Sequence, residues 1–156
     1  MHLQEIGRLQ TLQTVAPLVL PDLVVGEIEA HGSGLTFLRE AGVQSTVISV
    51  ETSAWREVLR STGARIQPAD AQVFVLARDG RFQPLVLTDD LALRRLLEKS
   101  GSPVTGTVGI LIRAYSSRLI SREDLDSAVE ALFESSSLHL SGAFRIYLTS
   151  LLNDLA

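Results

Sequence analysis

Cysteine is absent from the sequence, which excludes disulfides, thiolate nucleophiles and zinc sites built on thiolates. The absence also suits a reducing compartment. The three histidines share no metal-binding spacing. Any metal ion would therefore bind carboxylate oxygens, so the candidate ligands are Asp and Glu.

Long apolar runs are also lacking, since no stretch reaches the roughly eighteen residues that a membrane span requires. Residues 1–5 have neither the basic start nor the apolar middle of a signal peptide. We therefore predict a cytoplasmic protein with no membrane partner. The net charge of -4 provides no long-range attraction for nucleic acid, so RNA contacts would depend on local arginines.

Short apolar segments alternate with helical patterns along a chain that is 46% hydrophobic. Four helical patterns stop at a glycine, at Gly42, Gly63, Gly80 and Gly101, where a left-handed cap is expected. This alternation predicts an α/β fold, a three-layer α/β/α sandwich with a central parallel sheet. The 156 residues fit one domain, 1–156.

The C-terminal third, about residues 107–156, has helical patterns alone. The chain also opens with a helical pattern, from Leu3 to Leu12, rather than with a strand. Ser121 and Asp124 are spaced like a capping box, which favours Ser121 as a helix N-cap over a nucleophile.

Acidic residues follow predicted strands at three separate junctions. Glu27 lies in the helix after the apolar run 18–20, Asp70 opens a helix, and Asp89 and Asp90 follow the run 85–87. The carboxyl ends of parallel strands meet at one edge of a sheet, so these acids are expected to lie close together. The alternative stays open, because Asp and Glu are favoured in the first turn of any helix.

Clustered carboxylates without His or Cys suit hard cations such as Mg²⁺ or Mn²⁺, which promote phosphodiester hydrolysis. In the pair Asp89 and Asp90, one carboxylate would ligate the metal. The other would orient it, cap the helix or hold a water. Arg94 and Arg95, one turn onward, would contact RNA phosphates, although solvated arginines are the commoner case.

The chain resembles the PIN domain, a metal-dependent nuclease fold, and within it a prokaryotic branch of unassigned function encoded beside small antitoxin-like partners. The order and spacing of the matching segments carry the resemblance, and the glycine–threonine turn in the last segment is the most branch-specific piece. These segments are residues 5–9, 20–28, 69–77, 87–90 and 104–111.

The resemblance implies a parallel sheet with flanking helices and an acidic pocket for one or two divalent ions, Mg²⁺ or Mn²⁺, that cleaves RNA. Glu27 matches the acid after the family's second strand, Asp70 its mid-chain acid, and Asp90 the acid of its Thr-x-Asp motif. Asp89 matches an extra acid of this branch, and Thr88 supplies a hydroxyl near the pocket.

One departure from the family pattern concerns its first strand, which ends in an Asp that serves as the pocket's first ligand. This sequence has no such segment, so we hypothesise a start codon assigned too late. Reading the codons upstream of Met1 tests this, because a stop codon there would defeat it. For the chain as given, weak or absent catalysis is expected.

Two functions from different classes follow. The first is a ribonuclease, the toxin of a toxin–antitoxin pair whose small partner blocks the acidic cleft. The second is a catalytically degenerate binding module, with the apolar helices at 125–133 and 144–152 packing in a homodimer or in the monomer core. A nucleotide-binding loop at Gly106 and Gly109 is a weaker third, because neither the dinucleotide fingerprint nor a P-loop lysine is present. Those glycines are expected to permit close packing of a helix on the sheet.

Overall fold

Short parallel strands alternate with helices before the helical C-terminal part of the chain. A computed structural model describes residues 2–30, 32, 34–63, 66–81 and 84–154. The strands are β1 (Leu18–Pro21), β2 (Ser45–Ile48), β3 (Val86–Leu87) and β4 (Val104–Thr105). The helices are α1 (His2–Glu5), a 3-10 helix (Leu9–Thr14), α2 (Asp22–Ala30), α3 (Thr36–Glu40), α4 (Thr52–Ser61), α5 (Pro68–Ala77), α6 (Leu91–Lys99), α7 (Thr107–Ser116), α8 (Arg122–Glu134) and α9 (Gly142–Asp154).

The strands form two parallel pairs. β1 pairs with β2 in the register Leu18 opposite Ser45, and β3 pairs with β4 in the register Val86 opposite Val104. The α/β class is confirmed. The single central sheet is not seen in the described part of the chain, which holds two separate two-stranded sheets. The two pairs stay separate because no segment among the described residues forms backbone hydrogen bonds with both of them.

Helix ends agree with the local sequence signals at most positions. Gly42, Gly63 and Gly101 take positive φ values as predicted. Gly80 does not, because α5 stops earlier, at Ala77, and Arg78 is its C-cap. The C-terminal third is helical, as expected, and none of the helices in the described ranges is long and apolar enough to cross a bilayer.

Ser121 is the N-cap of α8. Its hydroxyl accepts a hydrogen bond from the Asp124 amide at 3.1 Å, and the Asp124 carboxylate accepts one from the Ser121 amide at 3.1 Å. This is a complete capping box. The prediction of a cap rather than a nucleophile is confirmed.

The N-terminal helix is shorter than the periodicity predicts. α1 ends after one turn, and Gly7 follows with φ +66, a left-handed conformation that stops an α-helix. The chain continues as the 3-10 helix. Arg8 lies between α1 and the 3-10 helix and donates a hydrogen bond to the Asp124 carboxylate of α8 at 3.0 Å. A tertiary contact with α8 is therefore made at the point where α1 has ended.

Two hydrophobic clusters hold the elements together. The larger one surrounds α7, whose Ile110, Leu111 and Ala114 are fully buried, and includes α8 through Leu125 and Leu132. The smaller one joins α5, β3 and α6 through a single set of side chains: Phe74, Val86, Leu93 and Leu97. This smaller cluster fixes the start of α6 relative to α5, and both helices begin with predicted site acids.

Glu5 connects α1 to the loop between α8 and α9. Its carboxylate accepts hydrogen bonds from the Ser137 amide and hydroxyl, both at 2.7 Å, and lies 3.4 Å from His2 Nδ1. The hydrogen bonds from Ser137, with the His2 contact, lower the pKa of Glu5 from 4.5 to about 2. A carboxylate with a depressed folded-state pKa stabilises the fold above its unfolded pKa, and this stabilisation is lost as the pH falls toward 2.

We therefore expect Glu5→Gln to lower the free energy of unfolding by about 1 kcal/mol at pH 7, a small value because the site is partly exposed. The difference from the native chain should shrink between pH 4.5 and pH 2, as urea denaturation at several pH values would show. Glu130→Gln, an exposed acid on α8, is the control and should stay within about 0.5 kcal/mol of the native chain. An equal deficit at pH 7 and pH 2 would contradict this account.

Candidate functional site

Asp89 and Asp90 cap two different helices. Asp90 is the N-cap of α6, and its Oδ1 accepts a hydrogen bond from the Leu93 amide at 2.7 Å. Asp89 reaches α7 instead, where its Oδ1 accepts from the Thr107 amide at 2.9 Å and its Oδ2 from the Thr107 hydroxyl at 2.5 Å. The two adjacent carboxylates therefore have separate structural tasks.

Asp70 lies in the first turn of α5 and is half-buried. Its Oδ2 accepts a hydrogen bond from the Gln67 amide at 3.0 Å. Burial raises the pKa of the Asp70 carboxyl, and the negative charge of Asp90 raises it further. Since α5 packs against α6, the starts of the two helices lie near enough for the charge of Asp90 to affect the pKa of Asp70.

One oxygen of each carboxylate in this pair is left over. Within the described ranges, no hydrogen bond reaches Oδ1 of Asp70 or Oδ2 of Asp90. Asp90 is exposed and Asp70 is only half-buried, so both are accessible to water and ions. A cation bound between two nearby carboxylates would reduce their mutual repulsion.

Glu27 lies on the exposed side of α2. α2 packs against α5, and the buried side chain of Gln72 on α5 accepts a hydrogen bond from the Leu23 amide at 3.0 Å. Gln72 therefore fixes the start of α2 beside α5. Gln72 is the one polar residue among the apolar residues 71–77, and nothing else in the sequence indicates its role.

In the described portion of the chain, no three His, Cys, Asp or Glu side chains are grouped closely enough to hold a metal ion. The metal site of Glu27, Asp70, Asp89 and Asp90 therefore stays a prediction. Mg²⁺ is commonly bound through one or two carboxylates, with water and substrate phosphates as its other ligands. The pair Asp70 and Asp90 fits this open arrangement and does not form an all-protein cage.

The predicted RNA-binding residues surround the same loop. The Thr88 hydroxyl accepts a hydrogen bond from the Asp90 amide at 3.1 Å, and Arg94 donates to the Thr88 carbonyl at 3.3 Å. Arg94 also lies 3.9 Å from Glu98, whereas Arg95 is exposed. Arg94 therefore helps to hold the loop in place. The contacts of Thr88, Arg94 and Arg95 with RNA stay a prediction.

A protein-family model of the PIN domain matches the chain over residues 1–151. The chain belongs to the PIN-domain family. No curated protein and no solved structure matches it. The PIN domain is a nuclease-type fold, and the acids that this chain places at the starts of α5 and α6 are therefore candidates for nuclease chemistry.

In this PIN domain, no local sequence pattern identifies Thr107 as a partner of the acids. From the sequence, the glycine–threonine turn at Gly106 is only a family signature and a packing feature. The backbone there shows why it matters, because a Cβ on Gly106 would collide with Asp89 Oδ1 and lie 2.9 Å from Arg94 Nη2. Gly109 likewise has no room for a Cβ beside Thr105 of β4, which confirms the predicted close packing of helix on sheet.

Proposed function

We propose that the protein is a divalent-metal-dependent ribonuclease that hydrolyses RNA phosphodiester bonds and is the toxin of a toxin–antitoxin pair. The observation that carries the proposal is the pair Asp70 and Asp90 in a PIN domain. Their two oxygens without hydrogen bonds are the ligands a hard cation prefers. Burial raises the pKa of Asp70, and the negative charge of Asp90 adds to this rise.

In this proposal each residue has a defined task. Asp70 and Asp90 hold Mg²⁺ or Mn²⁺, which when bound supplies Lewis acidity toward the phosphodiester and an attacking water. The amino ends of α5 and α6, where both acids lie, present the positive ends of their helix dipoles to the phosphate. The exposed guanidinium of Arg95 is the candidate contact for a neighbouring RNA phosphate.

The proposed partner is a small antitoxin protein that covers the acidic pair and keeps RNA away from it. A homodimer is a second proposed assembly. Ile146 and Tyr147 of α9 support it, since their side chains are 76% and 61% exposed. Such exposed apolar residues are common in interfaces between chains.

A catalytically degenerate PIN-like binding or oligomerisation module is the second candidate function. The observation that favours it is that three metal-ligating side chains are not grouped in the described residues. This function would keep the interface surfaces and have no metal-dependent chemistry. Metal titration and an RNA cleavage assay on the same preparation distinguish the two candidates.

The ribonuclease proposal predicts cleavage of a labelled single-stranded RNA in Mn²⁺ or Mg²⁺ and none in chelator. Asp90→Asn should reduce the rate at least about 100-fold, because even residues that only support metal ligands change activity 10- to 100-fold. Asn is also a good N-cap, so α6 should stay folded. Glu130→Gln, remote from the pair on α8, is the control and should cleave at the native rate. Equal rates with and without chelator would refute the proposal.

A further inference from the structure

Residues 88–90, here called the acidic loop, are held by hydrogen bonds along their whole length. The Thr88 amide donates to the Thr105 carbonyl at 2.9 Å, and the Thr88 carbonyl accepts from Arg94. The Thr88 hydroxyl accepts from the Asp90 amide, and the Asp90 carbonyl accepts from the Arg94 amide at 2.9 Å. These bonds come from β4, from α6 and from within the loop itself.

The side chains of the acidic loop are held as firmly as its backbone. Asp89 uses both carboxylate oxygens on Thr107, eighteen residues away in sequence, while Asp90 uses one oxygen on the Leu93 amide. Among the carboxylate oxygens of the loop, Asp90 Oδ2 alone receives no hydrogen bond from the described residues. Because Asp90 is exposed, this oxygen is accessible to solvent and to a bound ion.

The attachment point on α7 is rigid. Thr107 is buried, and the next turns of α7, with Ile110 and Leu111, lie in the centre of the larger hydrophobic cluster. The N-cap of α7 is Gly106, which has no side chain to cap the free amides at the start of the helix. Asp89, which lies outside α7, caps the Thr107 amide instead. Because Gly106 has no Cβ, the Asp89 carboxylate can approach the start of α7 this closely.

From this geometry we propose that Thr107 is a positioning residue for the metal-binding pair, acting through Asp89 to hold Asp90 beside Asp70. The inference rests on the proposed ribonuclease function and specifies how its site is supported. It assigns Asp89 to the framework, because each of its oxygens accepts a hydrogen bond from Thr107 of α7. Ligand groups held by fixed neighbours bind metal more tightly, because less ordering accompanies binding.

The test measures Mn²⁺ affinity of the full chain without RNA, by electron paramagnetic resonance of free Mn²⁺. Thr107→Val keeps the shape and the amide but removes the hydroxyl, and we expect affinity to fall about 10-fold, the usual effect of losing a supporting hydrogen bond. Thr107→Ser keeps the hydroxyl and should bind within about twofold of the native chain. Ser121→Ala is the matched stability control, because it removes a hydroxyl cap from α8, and its Mn²⁺ affinity should be unchanged.

Asp89→Asn separates the positioning role from a ligand role even if Thr107→Val fails to fold. The Asn oxygen can still accept from the Thr107 amide and its NH₂ can donate to the Thr107 hydroxyl, so affinity should stay within about threefold. A loss of about 100-fold or more would make Asp89 a ligand and overturn the inference. Native affinity in Thr107→Val would also overturn it, while leaving the proposed function intact if Asp90→Asn no longer binds. No Mn²⁺ binding by the native chain would refute the proposed function itself, and the positioning role with it.

Discussion

On the proposed ribonuclease function, Asp70→Asn should reduce RNA cleavage at least about 100-fold and at the same time stabilise the fold. The loss of activity follows from removing one of the two proposed metal-binding carboxylates. The gain in stability follows because burial and the neighbouring Asp90 make the charged form of Asp70 unfavourable. Sites arranged for chemistry commonly reduce stability in this way, and we expect a gain of about 1 kcal/mol.

The stabilisation by Asp70→Asn has a defined pH dependence. A carboxyl whose pKa is raised in the folded state contributes most favourably below its unfolded pKa, where it is neutral, and this contribution is lost as the pH rises. The advantage of Asn should therefore be absent well below the ordinary Asp pKa of 3.8 and complete at neutral pH. Urea denaturation at acidic and neutral pH, with RNA cleavage in parallel, measures both effects.

Asp79→Asn is the matched control, because we expect it to lower the free energy of unfolding where Asp70→Asn raises it. Hydrogen bonds from Arg81 lower the pKa of Asp79 to about 2, so its charge stabilises the fold at neutral pH. Its replacement should leave cleavage unchanged and reduce stability, most clearly above the ordinary Asp pKa. If Asp70→Asn also reduced stability at neutral pH, the account of its charge as unfavourable in the fold would be wrong.

Gly109→Ala should destabilise the protein by about 2 kcal/mol, because the added methyl group has no space against β4. A Cβ at Gly109 would collide with Thr105 Oγ1 and lie 3.5 Å from Thr105 Cβ. Thr105 is β-branched and has few alternative rotamers, so it cannot easily move away. The free energy of unfolding from urea denaturation measures the loss.

Gly26→Ala is the matched substitution in open space, since nothing lies within 4 Å of a Cβ built there in α2. It should stabilise the protein by about 0.5 to 1 kcal/mol, the usual helix propensity difference. Combining Gly109→Ala with Thr105→Ala removes the colliding group and should recover part of the loss. No recovery in the double variant would show that the methyl group meets a different obstacle.

The predicted site acids show which features follow from local sequence and which depend on tertiary packing. The positions of Asp70 and Asp90 at helix starts follow from local patterns, while their role as ligands of one metal ion stays a prediction. The task of Asp89 depends on Thr107, eighteen residues away, and no local pattern indicates which helix a carboxylate will cap. Gln72 was missed for a similar reason, because its partner is an amide at the start of α2.

By itself the sequence determined the local structure of this protein: alternating strands and helices, helix stops at three glycines, and the capping box of α8. These features follow from backbone preferences and side-chain periodicity within a few residues. Only the tertiary structure decided that the strands form two separate pairs, that α5 packs against α6, and that Thr107 holds Asp89. Such contacts join distant segments, and their geometry depends on how α5, α6 and α7 pack together, which no short stretch of sequence specifies.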